Sequence, residues 1–220
     1  MKVSFFGHAA VGLRASGIGV LLDPYEPQAF GGRIKYSPIP GRFDVVVISH
    51  EHLDHNHVAP SFGDPHVVRG PCTFSGLDFR CLVGAHGDAG GTVDFETRIT
   101  RFVLDDVAVV HPGDLGAPLS AESCAVLGDV DLLFVPVGGH FTMGPEGARE
   151  MIAAVRPRVA IPIHYKTPLA DLAIGPLQDF LDLAGSIPVR RFSSGEIEVS
   201  ADSLPVRTEI WVLPPVCTHA

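Results

Sequence analysis

The amino-acid sequence predicts a mixed α/β (α+β) chain folded as a four-layer αββα sandwich, on three observations. The front half is a succession of short apolar or β-branched runs, whereas the back half alternates such runs with segments of helical spacing. The composition, 46% apolar with 24 glycines and 19 prolines in 220 residues, suits many short elements joined by tight turns rather than long helices. Two mixed halves, each with strands inside and helices outside, can bury their apolar faces in this layered form. One domain spanning 1–220 is the economical reading.

Taken in order, Lys2 to Phe6 and Ile18 to Leu22 read as two strands paired in an antiparallel hairpin arrangement, and Asp23-Pro24-Tyr25 closes the second. The Gly/Pro-rich interval Gln28 to Gly41 is a long surface loop, a kind of segment that is often functional and here a source of pocket walls. Phe43 to Ile48 is an unbroken apolar strand. Further strands are expected at His66 to Arg69, Phe79 to Val83, Thr92 to Phe95, Thr100 to Leu104 and Val107 to Val110. In the back half, helices are expected over Leu119 to Leu127, Pro145 to Val155 and Gly175 to Leu183. Strands are expected at Leu132 to Val135, Val159 to Ile163, Val189 to Phe192 and Ile197 to Val199. The segment Arg207 to Leu213 holds the only tryptophan, Trp211, and reads as an added edge strand or a partner contact through which the chain could form a homo-oligomer.

The stretch Ser49 to His57 reads S-H-E-H-L-D-H-N-H and contains H-x-H-x-D-H, formed by His50, His52, Asp54 and His55. Imidazole nitrogen and carboxylate oxygen are the donors that Zn2+ and related divalent ions prefer, and they converge at this spacing where the backbone turns sharply at a strand end. An H-x-H also closes the first strand of amidohydrolase-type barrels, but 220 residues is short for a fold of about 250. Three more strand ends carry His or Asp: His86 in G-A-H-G-D, Asp114 in H-P-G-D and His164 in I-P-I-H-Y. A dinuclear site needs such additional ligands.

These motifs, with G-H-A at Gly7 to Ala9, L-L-D-P at Leu21 to Pro24 and P-V-G-G-H-F-T-M at Pro136 to Met143, occur in an order that resembles the metallo-β-lactamase superfamily over nearly the whole chain. Within that superfamily the chain looks like the compact hydrolase branch that includes L-ascorbate 6-phosphate lactonase-like proteins. The resemblance implies the metallo-β-lactamase fold, with His50, His52 and His86 on one metal, Asp54, His55 and His164 on the other, and Asp114 bridging them. His111 is a rival to His86 for the first metal. The second position of H-x-H is histidine rather than the glutamate of the diiron, oxygen-reducing branch, which favours zinc, with manganese as the other choice.

The implied activity is hydrolysis of a small ester, lactone or phosphorylated metabolite by a hydroxide held between two divalent ions, with Asp54 both ligand and orienter. His140 is the candidate general acid, and Tyr165 and Lys166 are candidate substrate contacts, Lys166 for a phosphate or carboxylate. His8 is a further candidate at the site. A phosphodiesterase related to phospholipase D, or a non-catalytic metal-binding sensor, are the alternatives.

With 25 acidic against 16 basic side chains the net charge is −9, which argues against a nucleic-acid partner and leaves a small molecule. The four cysteines show no C-x-x-C spacing and read as small buried hydrophobes. No apolar run approaches the roughly 20 residues of a membrane span, and the N-terminal segment reads as strand rather than signal peptide, so a soluble cytoplasmic protein is expected.

Overall fold

The computed structural model describes residues 1–87 and 95–218. Its strands are, in chain order, β1 (Lys2–Gly7), β2 (Ala10–Ala15), β3 (Ile18–Leu22), β4 (Val45–Val47), β5 (His66–Val68), β6 (Cys72–Phe74) and β7 (Leu77–Ala85). They continue with β8 (Glu96–Leu104), β9 (Val107–His111), β10 (Leu132–Pro136), β11 (Val159–Ile163), β12 (Val189–Arg191), β13 (Glu196–Glu198) and β14 (Glu209–Val212). The helices are α1 (Ala29–Gly32), a single distorted turn, then α2 (Ala121–Leu127), α3 (Pro145–Val155) and α4 (Leu177–Asp182). A six-stranded sheet runs β13-β1-β2-β3-β4-β5, and an eight-stranded sheet runs β12-β14-β11-β10-β9-β8-β7-β6.

Alternation along the strands decides what the two sheets bury. In β3 and β4, Val20, Leu22, Val45 and Val47 face the main core, together with Phe79 and Phe102 from β7 and β8 and Val109 from β9. Leu21 and Val46 point the other way, into a second core with Tyr25, Ile34, Tyr36, Phe43 and Phe62. Central strands covered on both faces therefore read as continuous apolar runs. Irregular chain, chiefly the Tyr25 to Phe43 segment, covers the first sheet, whereas α3 packs Ala148, Met151 and Ile152 into the main core.

Two expectations change. Lys2–Gly7 does not pair with Ile18–Leu22: β2 lies between them and pairs antiparallel with both. Gly12 and Arg14 interrupt its apolar pattern, and Gly12 is required because a Cβ there would come within 2.7 Å of the Phe6 ring. The Trp211 strand is not at an edge but pairs with β11 on one side and β12 on the other. Trp211 is buried, donates Nε1–H to Glu209 Oε2 at 2.7 Å and has the Arg190 guanidinium 5.4 Å above its ring, so its apolar surface is used within the chain. Of the expected Thr92–Phe95 strand, residues 92–94 lie outside the described residues, and Phe95 is not in a strand. Among the described residues no helix is long and apolar enough to cross a membrane.

Strand direction positions the site. β1, β3 and β4 run the same way, because β2 is antiparallel to both β1 and β3 while β4 is parallel to β3. In the other sheet β9, β10 and β11 are parallel, and β7 shares their direction through two antiparallel steps. The residues that follow β1, β3, β4, β7, β9, β10 and β11 thus leave the strands' carboxyl ends, where open α/β sheets gather ligand-binding groups.

Candidate metal centre

Those carboxyl ends supply His8 after β1, Asp23 after β3, His50, His52, Asp54 and His55 after β4, His86 after β7, Asp114 after β9 and His164 after β11. All are buried except His52, which is half-buried. Three donor groups result: one is Asp23 with His50 and His55, and the other two meet at Asp114. His50, His52 and His86 each offer a nitrogen within 4.8 Å of the others, and so do His8, Asp54, His55 and His164 with their nitrogens and carboxylate oxygen. Asp114 touches both groups, with Oδ2 3.8 Å from His50 Nε2, 3.5 Å from His86 Nε2 and 3.3 Å from His164 Nε2, and Oδ1 3.2 Å from His55 Nε2.

Several of these atoms lack ordinary partners. His55 Nε2, His86 Nε2, His164 Nε2 and Asp114 Oδ1 are buried without a hydrogen bond, although each lies within 4 Å of an oppositely polar atom. Orphaned buried donors and acceptors are costly unless something else satisfies them, and N and O atoms converging from four strand ends fit divalent cations. His50 Nε2 and His52 Nδ1 face one another at 3.0 Å, a placement suited to shared ligation.

The opposite faces of the rings are anchored. Asp23 Oδ2 accepts from His55 Nδ1 at 2.9 Å and from Ser49 Oγ at 2.6 Å, and Asp23 Oδ1 accepts the Ser49 backbone N–H at 2.8 Å. Ser49 Oγ lies 2.9 Å from His50 Nδ1. Asp23 therefore turns His55 so that Nε2 faces Asp114, the arrangement by which carboxylates orient metal-binding imidazoles. His8 Nε2 lies 2.8 Å from Asp54 Oδ2 and fixes that carboxylate. His8 and His164 have left-handed backbones, at φ 54° and 52°, tied by a 2.8 Å bond from His164 N–H to His8 O, so strain is held at the site itself.

Protonation follows from burial and neighbours. Burial, then the charge of His164, pushes His8 down to about 4, and burial with His55 pushes His50 down to about 3. Burial and His86 also lower His52. Burial opposes charge on Asp54 and Asp114, but His55 and His8 hold the first below the usual carboxylate range, and His164 and His55 hold the second well below it. His55 is the exception: burial disfavours its charge, yet Asp114 and Asp54 raise it well above the ordinary histidine value. Neutral imidazoles beside ionised carboxylates are the forms that coordinate cations.

The chain belongs to the metallo-β-lactamase superfamily. A family model described as the beta-lactamase superfamily domain matches residues 2–164. A UPF0173 metal-dependent hydrolase of Methanospirillum hungatei is 30% identical over 192 residues, covering 76% of this chain and 84% of its own. One from Pelotomaculum thermopropionicum is 28% identical over 229 residues, covering 89% and 98%. A crystal structure from Thermotoga maritima, named as a candidate Zn-dependent hydrolase of the superfamily, superposes with a TM-score of 0.74 at 28% identity and covers 96% of this chain and 97% of that one. By this membership the chain is a metal-dependent hydrolase. The matches establish the superfamily and the likeness to the UPF0173 family.

As in any such hydrolase, chemistry needs a cavity over the ligands. Here His52, Asp54, His86, Asp114 and His164 line a space of about 220 Å3 whose other walls are Phe30, Arg33, Phe141 and Leu172. The rival ligand His111 is buried but turned away: it lies 3.0 Å from Ala9 O through Nε2 and accepts the Gly113 N–H at Nδ1. Three other sequence candidates are not brought to this cavity. His140 is exposed with its ring against Phe141. Tyr165 is buried toward Phe5 and borders a different cleft, and Lys166 is exposed, since His164 alone occupies the inward position at the end of β11. Sequence reasoning gave no role to Asp23, Ser49, Phe141 or Leu172, whereas Phe30 and Arg33 lie in the Gln28 to Gly41 loop that it named as a source of pocket walls. Asp23 carried a signal, as an acidic residue closing a strand in the same way as Asp114.

Proposed function

We propose that this hydrolase works with two divalent ions, zinc in the first instance, on a small ester, lactone or phosphorylated metabolite. The observation that carries the reading is Asp114, whose two oxygens lie 3.2–3.8 Å from nitrogens of both donor groups. His50, His52 and His86 would hold one ion, Asp54, His55 and His164 the other, and Asp114 would stand between. Two such ions, when bound, activate water near neutral pH and polarise a carbonyl or phosphoryl oxygen. The protein's own part is orientation. Asp23 fixes His55, Ser49 fixes His50, and His8 engages Asp54 Oδ2 so that Oδ1 is left to accept a proton from the attacking water. Phe30, Phe141 and Leu172 give the cavity apolar walls beside the reacting groups.

The nitrogen-rich donor set supports zinc, and the zinc dependence proposed for the Thermotoga protein agrees with it. Four free cysteines among the described residues suit a reducing compartment, which supports a cytoplasmic place. Elemental analysis of protein purified without chelator tests the reading. About two zinc or manganese ions per wild-type chain are expected from such a site, falling in Asp114→Ala. One ion or none in the reconstituted wild type would refute it. Turnover of p-nitrophenyl esters against bis-p-nitrophenyl phosphate separates the esterase from the phosphodiesterase reading, and Asp54→Ala should abolish whichever is found.

A further inference from the structure

The cavity wall opposite the ligands is unlike its floor. Among the described residues Arg33 is the only lysine or arginine that lines it, and it stands beside Phe30, Phe141 and Leu172. The turn that presents Phe30 and Arg33 is strained. Gln28 and Phe30 have left-handed backbones, at φ 65° and 55°, a conformation that non-glycine residues adopt at a cost of about 1 kcal/mol or more each. Backbone bonds hold that turn in place. Gln28 N–H donates to Ile34 O at 2.8 Å, Arg33 N–H to Ala29 O at 3.1 Å, Asp171 N–H to Arg33 O at 2.9 Å and Lys35 N–H to Leu169 O at 2.7 Å. The last two bonds join the turn to the segment that carries Leu172, so the cation and an apolar wall are positioned together.

Arg33 is exposed where it lines the cavity. Among the described residues its side chain forms no ion pair, whereas the neighbouring Lys35 reaches Asp171 at 4.0 Å. We propose that Arg33 determines specificity by binding a carboxylate on the substrate, with the substrate's short carbon body against Phe30, Phe141 and Leu172 and its scissile group over the donor atoms. A guanidinium fork matches a carboxylate in two parallel hydrogen bonds. A carboxylate is the smallest group that fills that fork, and it leaves Phe30, Phe141 and Leu172 for the carbon body.

This inference rests on the hydrolase reading, and its test separates the two. The metal-loaded protein is assayed on p-nitrophenyl hemiglutarate and on neutral p-nitrophenyl butyrate, in wild type, Arg33→Met and Arg33→Lys. The ratio of kcat/KM, charged over neutral, should fall about tenfold in Arg33→Met, mainly through KM, and recover in part with lysine. A ratio that does not move, or both rates falling by one factor, would overturn the assignment. If neither ester turns over, the small-ester reading fails, and calorimetry decides the Arg33 proposal by itself: glutarate should bind wild type about tenfold more tightly than Arg33→Met. Equal glutarate affinities, or an Arg33-dependent difference seen with propyl phosphate and not with glutarate, would refute carboxylate recognition.

Discussion

Replacing Asp23 with asparagine changes one atom's hydrogen-bonding character at a buried position and tests how the ligand histidines are held. The carboxylate accepts three bonds, from His55 Nδ1, Ser49 Oγ and Ser49 N–H. Asparagine keeps an oxygen for the Ser49 backbone, and the serine hydroxyl can rotate to accept from the amide. The His55 contact cannot be repaired in this way. An amide N–H facing Nδ1–H is a clash of donors, relieved when the imidazole moves its proton to Nε2. Nε2 is the nitrogen that lies 3.2 Å from Asp114 and 3.6 Å from Asp54, so the new tautomer puts a hydrogen where a lone pair is needed. Loss of such a partner weakens metal binding by ~10- to 100-fold, about 1.4–2.7 kcal/mol. Competition with a chromophoric chelator measures the affinity, and near-ultraviolet circular dichroism checks that the variant is folded. A folded Asp23→Asn protein with wild-type affinity for both ions would refute the argument that Asp23 sets the His55 tautomer.

Metal uptake should also depend on pH with a definite sign. His55 holds a proton at neutral pH in the stripped protein, whereas His50, at about 3, does not, so one proton leaves as the metal enters. Affinity should rise about tenfold per pH unit until the pH passes the raised His55 value; a flat profile between about pH 6 and pH 8 would contradict this. Gly113→Ala should destabilise the protein by about 2–4 kcal/mol and displace the adjoining Asp114. Its φ is +58°, and a Cβ there would collide with Ser49 Oγ and Thr97 Oγ1. A thermal melt matching wild type would show that this close approach is not required.

Strand ends were the most legible part of the sequence. Ile18–Leu22 and Val159–Ile163 are bounded as their apolar runs suggest, because central strands covered on both faces tolerate only apolar side chains. The polar residue that ends each run marks where the chain leaves the core. For that reason His50 to His55, His86, Asp114 and His164 could be named as a set before any fold was known. β2 was illegible, since Gly12 serves the Phe6 ring and Arg14 faces solvent, neither of which shows in a local pattern.

By itself, then, the sequence determined the layered α/β class and the donor types at the strand ends, since both follow from local patterning and side-chain chemistry. Tertiary structure alone decided which donors share a neighbourhood. It placed Asp114 between the two groups, turned His111 toward Ala9, moved His140 and Lys166 outward and brought Arg33 to the cavity. These outcomes depend on strand order and direction in two sheets and on bonds between residues more than a hundred positions apart, such as His164 N–H to His8 O. Spacing along the chain carries no information about such distances.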